Sequence, residues 1–252
     1  MSAVLRQFRF TNKAFWRNPA SALFTFAFPL MFLVIFTALL GGGEVLLHGS
    51  DISLATYYVG AMAAFGVISA CFTNIAITTV FTRDAGILKR LRGTPLPAAA
   101  YLGARVLHAM VVGAILVGLT LVFGAVVYGA DLPTGSPLVR FGLTFTVGSL
   151  TFSALALALS GVVPNADAAP AIVNASILPL LFISGIFIPM GDDAPRWLTV
   201  TADIFPVKHF ADAMMNSFLG LPFAWNDLAI VGVWGVAGLL IAARTFAWEP
   251  RR

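Results

Sequence analysis

The feature of this chain that most limits its fold is a series of long stretches that contain no Asp, Glu, Lys or Arg. Five of them, each at least twenty residues long, are 18–43, 52–82, 106–130, 141–166 and 168–191. A helix needs about 20 apolar residues to cross the hydrocarbon core of a bilayer. Each charge at mid-bilayer would cost about 3 kcal/mol or more. The pattern therefore predicts an all-α membrane protein.

A sixth, shorter stretch covers 228–243. It can still span if Asp227 lies at one interface and Arg244 extends its charged end to the other. The predicted spans are 20–41, 55–81, 104–129, 141–163, 168–189 and 226–244. The segment 195–222 is also apolar, but it is interrupted by charged residues and by glycine and proline. We expect that segment to be interfacial or re-entrant.

The basic residues are distributed unevenly between alternate connections. Twelve of the 15 lie in the N-terminal segment, the connection after the second span and the C-terminal segment. The other side holds eight acidic residues: Glu44, Asp51, Asp131, Asp192, Asp193, Asp203, Asp212 and Asp227. The positive-inside rule predicts that both termini lie in the cytoplasm. We also predict that residues 1–252 form a single multi-pass domain in the inner or plasma membrane. The same clustering argues against a nucleic-acid partner, despite a net charge of +4.

Composition excludes several chemistries. One cysteine, Cys71, allows no disulfide within the chain, and three histidines with it show no metal-site spacing. No Gly-Lys-Ser/Thr triplet occurs, so a phosphate-binding loop is not expected. We predict that the chain binds no cofactor and is not itself an enzyme.

Residues 2–18 show a helical charge pattern. Basic residues fall on one face: Arg6, Arg9, Lys13 and Arg17. Apolar residues fall on the adjoining face: Val4, Leu5, Phe8, Phe15 and Trp16. The pattern predicts an amphipathic helix in the cytoplasmic interface, ended by Asn18-Pro19. The alternative is a basic flank that only sets topology.

Two further segments carry motifs. The connection after the second span predicts a short basic helix over 83–92, stopped by Gly93 and Pro95. From its residues alone, a solvated loop that only sets topology is the favoured interpretation. Near the end of the chain come Ser184-Gly185 and Pro189, then Pro195-Arg196-Trp197-Leu198, then Pro206 and His209.

These two segments resemble the ATP-binding-cassette type-2 permease family, the membrane subunits of exporters. The family's cytoplasmic loop is Glu-Arg-Glu-x-Gly-Thr, a basic helix and Thr-Pro-Leu. Here it is Thr82-Arg83-Asp84-Ala85-Gly86-Ile87 and, after the basic residues, Thr94-Pro95-Leu96. Thr82, Asp84 and Ile87 depart from the pattern, so only Asp84 could supply an acidic contact.

The resemblance implies a half-transporter in a family whose substrates include drugs, lipids and polysaccharides. The membrane portion has few polar positions, which favours a hydrophobic or amphipathic compound, such as a drug or lipid, over a long sugar chain. The partners of the half-transporter would be a separate ATPase subunit carrying ATP-Mg, a second permease subunit and membrane lipids. The 83–92 helix would couple to the ATPase, which the 2–18 helix would also face. The implied coupling residues are Arg83, Asp84, Gly86, Leu88, Arg90 and Leu91. The implied outer-gate motif consists of Ser184, Gly185, Pro189, Trp197, Pro206 and His209.

Three alternatives remain: a secondary transporter or channel not coupled to ATP, an intramembrane enzyme, and an anchoring protein. Apart from His108, the six stretches contain no ionisable residue. This absence disfavours an ion-coupled carrier. Ser184-Gly185 lacks the preceding glycine of a membrane serine protease. We expect Asn74 and Asn174 each to bond a neighbouring helix, with substrate contact as the alternative. Gly232, Gly235 and Gly238 are expected to pack within one subunit, with a dimer seam as the alternative.

Overall fold

A computed structural model describes residues 2–40, 43–47, 50–190 and 194–249 of this nearly all-helical chain. Four residues of the predicted charge pattern, Asp192, Asp193, Arg251 and Arg252, lie outside the described residues. Among the described residues, helices follow one another along the chain, and the two strands form one small sheet.

The first half of the chain alternates helices with a single hairpin. Its elements are α1 (Ala3–Trp16), α2 (Pro19–Leu40), β1 (Glu44–Leu47), β2 (Ser50–Ser53), α3 (Leu54–Ile68), a π-helical turn (Ser69–Thr73), α4 (Asn74–Asp84), α5 (Ile87–Arg92) and α6 (Ala98–Tyr128). The two strands pair antiparallel, with Glu44 opposite Ser53. The second half contains α7 (Ser136–Val162), α8 (Ala169–Phe182), α9 (Arg196–Ile204), α10 (Pro206–Phe218) and α11 (Trp225–Thr245).

Five helices in the described chain are long and apolar enough to cross a membrane. They are Pro19–Leu40, Leu54–Asp84, Ala98–Tyr128, Ser136–Val162 and Trp225–Thr245. Each overlaps one of the predicted spans, so the prediction of a multi-pass membrane protein is confirmed. Two of these helices are longer than predicted. Helix α6 begins six residues before the predicted start at 104, and α4 extends the central helix to Asp84, beyond the predicted end at 81.

The predicted span 168–189 does not form one continuous helix. Here α8 ends at Phe182 and, with 14 residues, is about 21 Å long, less than the hydrocarbon thickness. Pro179 lies inside its last turn, and Gly185 adopts a left-handed φ of 82° that a helix cannot accommodate. Irregular backbone from 183 to 190 follows, and residues 184–187 within it are buried.

The helix formed by α3, the π-helical turn and α4 occupies the centre of the molecule. Every residue of α3 from Tyr57 to Ile68 is buried. Neighbouring helices approach it closely where glycines leave room: Leu116 of α6 packs onto Gly66, and Val59 packs onto Gly124 of α6. Small residues permit this approach, and buried apolar contact holds the helices together.

Helices α7 and α11 are joined by glycine contacts within the chain. A Cβ atom added at Gly235 would lie 2.5 Å from Oγ1 of Thr151, and one at Gly238 would lie 3.0 Å from Leu155. The Thr151 hydroxyl donates to the carbonyl of Val231 at 3.0 Å. The prediction of packing within one subunit is confirmed for these two glycines, whereas Gly232 faces open space.

The segment predicted to be interfacial or re-entrant forms the short helices α9 and α10. The junction between α9 and α10 lies beside the third turn of α11. There Nε1 of Trp234 donates to the carbonyl of Ile204 at 3.1 Å. The chain then returns along α10, until Gly220 lies beside Pro137 at the start of α7. The α9–α10 pair therefore enters the bundle and leaves it at the same end.

The bundle has two chemically different ends. The basic end carries α1, α5, the α7–α8 turn and the residues after α11; the acidic end carries the hairpin and the connections 129–135, 183–190 and 219–224. At the basic end the Trp248 ring lies 6.1 Å from Tyr101, and the Phe15 ring lies 5.3 Å from His108. Helix α1 and the residues after α11 thus lie at the same end of the bundle.

Candidate functional site

The predicted coupling helix over 83–92 is divided into two parts. Arg83 and Asp84 form the last turn of α4, and a turn at Ala85-Gly86 separates them from α5. Gly86 has a φ of 71°, which favours glycine, and nothing lies within 4 Å of the Cβ position. The prediction of a single helix over 83–92 was wrong because it took no account of this left-handed turn.

The exposed surface of α5 combines one apolar side chain with three basic ones. Leu88 is fully buried and anchors the helix, while Leu91 is half-buried. Ile87 is 46% exposed, and Lys89, Arg90 and Arg92 are exposed beside it. We call these four residues the α5 surface; its apolar centre and basic surroundings suit contact with an acidic protein partner.

Arg83 is buried inside the molecule rather than presented to a partner. Its Nη1 donates to the carbonyl of Ser160 at 3.0 Å, and its Nη2 donates to the carbonyls of Val163 and Pro164 at 2.9 and 3.0 Å. These carbonyls belong to the end of α7, where helical partners are missing and negative potential accumulates. The expectation that Arg83 forms part of a docking surface is corrected accordingly.

Asp84 completes the connection from α4 to the α7–α8 turn. Its Oδ1 accepts from Nε of Arg83 at 3.0 Å, and its Oδ2 accepts from the backbone nitrogen of Ala166 at 2.6 Å. We call Arg83 and Asp84, with these backbone partners, the Arg83 clamp. The clamp therefore ties the end of α4 to the end of α7 and to the α7–α8 turn.

The N-terminal segment forms the predicted helix, α1, with Ser2 accepting from the backbone nitrogen of Leu5 as its N-cap. Arg6, Arg9, Lys13 and Arg17 are all exposed. Phe8 and Phe15 turn inward and contact the His108 ring. Leu5 and Trp16, predicted on the apolar face, are 44% and 49% exposed.

A polar stripe interrupts the burial of the central helix. Between Tyr57 and Ala76 every residue is buried except Ser69, Thr73 and Asn74, and Thr78 continues the stripe as an exposed residue. The π-helical turn includes Ser69 and Thr73 and shifts the helical register there. The stripe faces a groove of about 400 Å³, the polar groove, whose other polar side chains are Ser21, Thr25 and Asn174.

Asn74 and Asn174 both line this groove instead of bonding neighbouring helices. The Asn74 side chain accepts from the Thr78 hydroxyl of its own helix at 3.5 Å. In the described part of the chain, Asn174 has no hydrogen bond to another helix. The predicted interhelical bonds are therefore wrong, and two amides face a cavity beside the membrane-spanning helices.

At the acidic end, part of the predicted gate motif lies against the start of α3. The Tyr57 hydroxyl donates to the carbonyl of Gly185 at 2.5 Å, and the Tyr58 hydroxyl donates to that of Phe187 at 3.3 Å. The buried Ser184 donates to the carbonyl of Leu181 at 2.9 Å. These bonds fix the irregular segment after α8 at the opposite end of the central helix from the Arg83 clamp.

The remaining motif residues divide between α9 and α10. Pro206 begins α10, and the buried His209 bonds Asp227 at 2.6 Å through Nδ1 and the Asp203 carbonyl at 2.9 Å through Nε2. Trp197 is 68% exposed, and Pro189 is half-exposed. Ser184 and Gly185 thus lie near α10 and near Asp227, the partner of His209, whereas Trp197 remains on the surface.

A charged cavity of about 290 Å³ lies between these groups. Tyr57, Gly185, Lys208, Asp212 and Asp227 are among its lining residues. Lys208 pairs with Asp203 and Asp212 at 3.0 Å each. Burial raises the pKa of Asp212, against the opposing pull of Lys208. Burial also works against the Lys208 ammonium, but its two aspartate partners outweigh it and the pKa of Lys208 is raised.

The ABC-2 type transporter model matches residues 4–219, which is most of the chain. This chain belongs to the ABC-2 type transporter family. It is 24% identical over 221 residues to the "Putative transport permease ycf38" of Porphyra purpurea, covering 87% of this chain and 75% of that protein. The protein of the same name from Pyropia yezoensis is 23% identical over the same coverage. The chain is thus a membrane transport permease, and its family implies an ABC transporter context with an ATPase partner.

Two functional features of this ABC-2 permease escaped prediction from sequence. The polar stripe consists of Ser69, Thr73, Asn74 and Thr78 among apolar residues, and only their helical spacing of four or five positions would have revealed it. The Arg83 clamp joins residues about eighty positions apart. In the described residues, no cluster of three or more His, Cys, Asp or Glu is arranged to hold a metal.

Proposed function

We propose that this permease is the membrane-spanning subunit of an ATP-driven exporter that moves a hydrophobic or amphipathic compound, a drug or a lipid, out of the cell. A separate ATPase subunit would supply the energy, and a second permease subunit, identical or similar, would complete the pathway. The observation that carries the proposal is the polar groove, a set of hydroxyl and amide side chains on the open side of membrane-spanning helices.

Polar side chains facing lipid are unfavourable, so a covering partner or cargo for the groove is required. The groove also contains apolar side chains, among them Phe24, Phe28 and Leu178. A second permease subunit packed over this face would enclose a path with both polar and apolar walls. Such walls suit an amphipathic cargo better than a long sugar chain.

Six crossings with the basic end in the cytoplasm account for the arrangement of the helices. The segment from Ala166 to Gly185 starts at Asp84 and reaches Tyr57, which lie at opposite ends of the central helix. This segment supplies a sixth crossing beside the five long helices. An even number agrees with α1 and Trp248 lying at one end, and the positive-inside rule puts that end in the cytoplasm.

Coupling would run from the α5 surface to the groove. An ATPase docked on Ile87 and Arg90 would push on α5, which the buried Leu88 holds in the bundle. The Arg83 clamp would transmit this movement to the α7–α8 turn, and α8 carries Asn174 into the groove. At the other end, the bonds of Tyr57 and Tyr58 to the segment after α8 would open and close the exit.

The proposal is tested with the complex of permease and ATPase in proteoliposomes, using a fluorescent phospholipid and ethidium as probes. We expect ATP-dependent movement of at least one probe, abolished when the catalytic glutamate of the ATPase is changed to Gln. Asn174→Leu is expected to lower transport about tenfold, since a good buried polar contact is worth about 1–2 kcal/mol. Ser176→Leu, on another side of α8, should retain transport. Transport that persists without ATP hydrolysis would instead support a secondary transporter.

A further inference from the structure

A second cavity lies beneath α1, at the basic end of the bundle. It measures about 240 Å³, and its polar lining residues include Thr11, Asn18, Asn74, Thr78, Arg105 and His108. It is bounded by α1, α4 and α6, so amphipathic and membrane-spanning helices meet around it. Its volume is below the range of about 300–1,000 Å³ that is usual for whole drug-sized ligands. It suits the headgroup of a larger molecule.

The Arg105 side chain lines this cavity, and not all of its hydrogen-bond donors have an acceptor. Its Nη1 donates to the Tyr101 hydroxyl at 3.1 Å, and its Nη2 donates to Oγ1 of Thr78. Its Nε is buried and has no acceptor. Across the described ranges, no carboxylate lies within salt-bridge distance of Arg105. Arg105 is half-buried, and its buried Nε is a donor without an acceptor, which an anionic ligand in the cavity would supply.

His108 adds a second unsatisfied group. It is 8% exposed, it lines the same cavity, and its Nδ1 has no hydrogen-bond partner. The rings of Phe8 and Phe15 on α1 lie 6.3 and 5.3 Å from its ring. Helix α1 therefore closes the cavity with aromatic side chains and keeps its basic residues outside, where they attract anionic lipid.

We propose that this cavity binds the phosphate group of an anionic amphiphile taken from the membrane leaflet at the basic end. The planar guanidinium is suited to phosphate oxygens, and the surrounding hydroxyl and amide groups can donate to the same anion. The chains of the amphiphile extend outside the cavity, among the apolar side chains of α1 and α2.

The cavity and the polar groove are adjacent. Ser21, Asn74 and Thr78 line both. A headgroup held at Arg105 therefore lies beside Thr78, at the end of the polar stripe. This part of the inference rests on the proposed function, and it makes a phosphate-bearing amphiphile the class of cargo. Binding itself requires neither ATP nor the ATPase.

Native mass spectrometry of the purified full-length chain in neutral detergent tests the binding directly. The probes are dioleoylphosphatidylglycerol, dioleoylglycerol without phosphate, and inorganic phosphate as a competitor. We expect the phosphatidylglycerol to bind and dioleoylglycerol not to bind. Arg105→Gln should weaken binding about tenfold, as expected for one charged hydrogen-bond partner. Arg140→Gln, the same change at the acidic end, should leave it unchanged.

A second variant, Ala14→Leu, tests the same cavity in case Arg105→Gln does not fold. Ala14 lies on the exposed side of α1 and lines the cavity, so Ala14→Leu narrows it without removing a hydrogen bond. It should also weaken binding about tenfold, as a steric block. Equal binding of the two lipids, or unchanged binding in both variants, would overturn the proposal. Displacement by equimolar inorganic phosphate would overturn the requirement for an amphiphile. Because no ATPase is present, failure of the exporter proposal would leave this result unaffected.

Discussion

Arg83→Gln is expected to lower the free energy of unfolding by about 3 kcal/mol or more, because it removes a charge that satisfies several buried groups. The wild-type guanidinium bonds three carbonyls at the end of α7 and the Asp84 carboxylate. A glutamine cannot reach all of them, so carbonyls remain without donors. Thermal unfolding of the purified permease in detergent measures the effect.

The matched control for this change is Arg92→Gln on α5. Arg92 is exposed, and the substitution should change the free energy of unfolding by less than about 0.5 kcal/mol. If Arg83→Gln were as stable as Arg92→Gln, the clamp would have no structural role. Arg83 would then be available to a partner after all.

Ile87→Asp is expected to reduce ATP-driven transport at least tenfold while leaving the permease folded. Ile87 is 46% exposed at the centre of the α5 surface and makes no part of the buried core. A carboxylate there would replace an apolar contact with the ATPase and place an unpaired charge in the contact. Truncation of a hot-spot residue at the centre of an interface costs about 2 kcal/mol or more. Co-purification of the ATPase with the permease, and ATP-dependent transport by the complex, measure it.

Leu132→Asp provides a comparison at the acidic end, where Leu132 is 43% exposed. It introduces the same charge at nearly the same exposure but away from the proposed docking surface. We expect normal ATPase co-purification and transport from this variant. Normal ATPase binding by Ile87→Asp would show that the partner docks elsewhere.

Much of the helical architecture follows from the distribution of charge along the sequence. Gaps free of Asp, Glu, Lys and Arg predicted each of the five long helices, because a membrane tolerates few charges and every backbone group must be bonded within the helix. The same reasoning predicted a continuous helix over 168–189, which is not present. The gap there is long enough to span, but Pro179 and Gly185 end the helix after 14 residues.

The candidate site was predictable in part. The basic residues of α5 and α1 were identified by their helical spacing, and both helices are present. The role of Arg83 was not predictable, since its partners at Ser160 and Val163 belong to a different helix. Local sequence gives no sign of that contact. The polar groove likewise depends on three helices meeting, so Asn74 and Asn174 were assigned separately.

The position of α5 on the cytoplasmic side is the central claim, and cysteine labelling of Arg90→Cys tests it most directly. The native Cys71 is fully buried, so a maleimide should report only on position 90. We predict that a membrane-impermeant maleimide leaves the variant unlabelled in intact cells and labels it once the membrane is permeabilised. Labelling from outside intact cells would place α5 opposite the ATP supply and contradict the account.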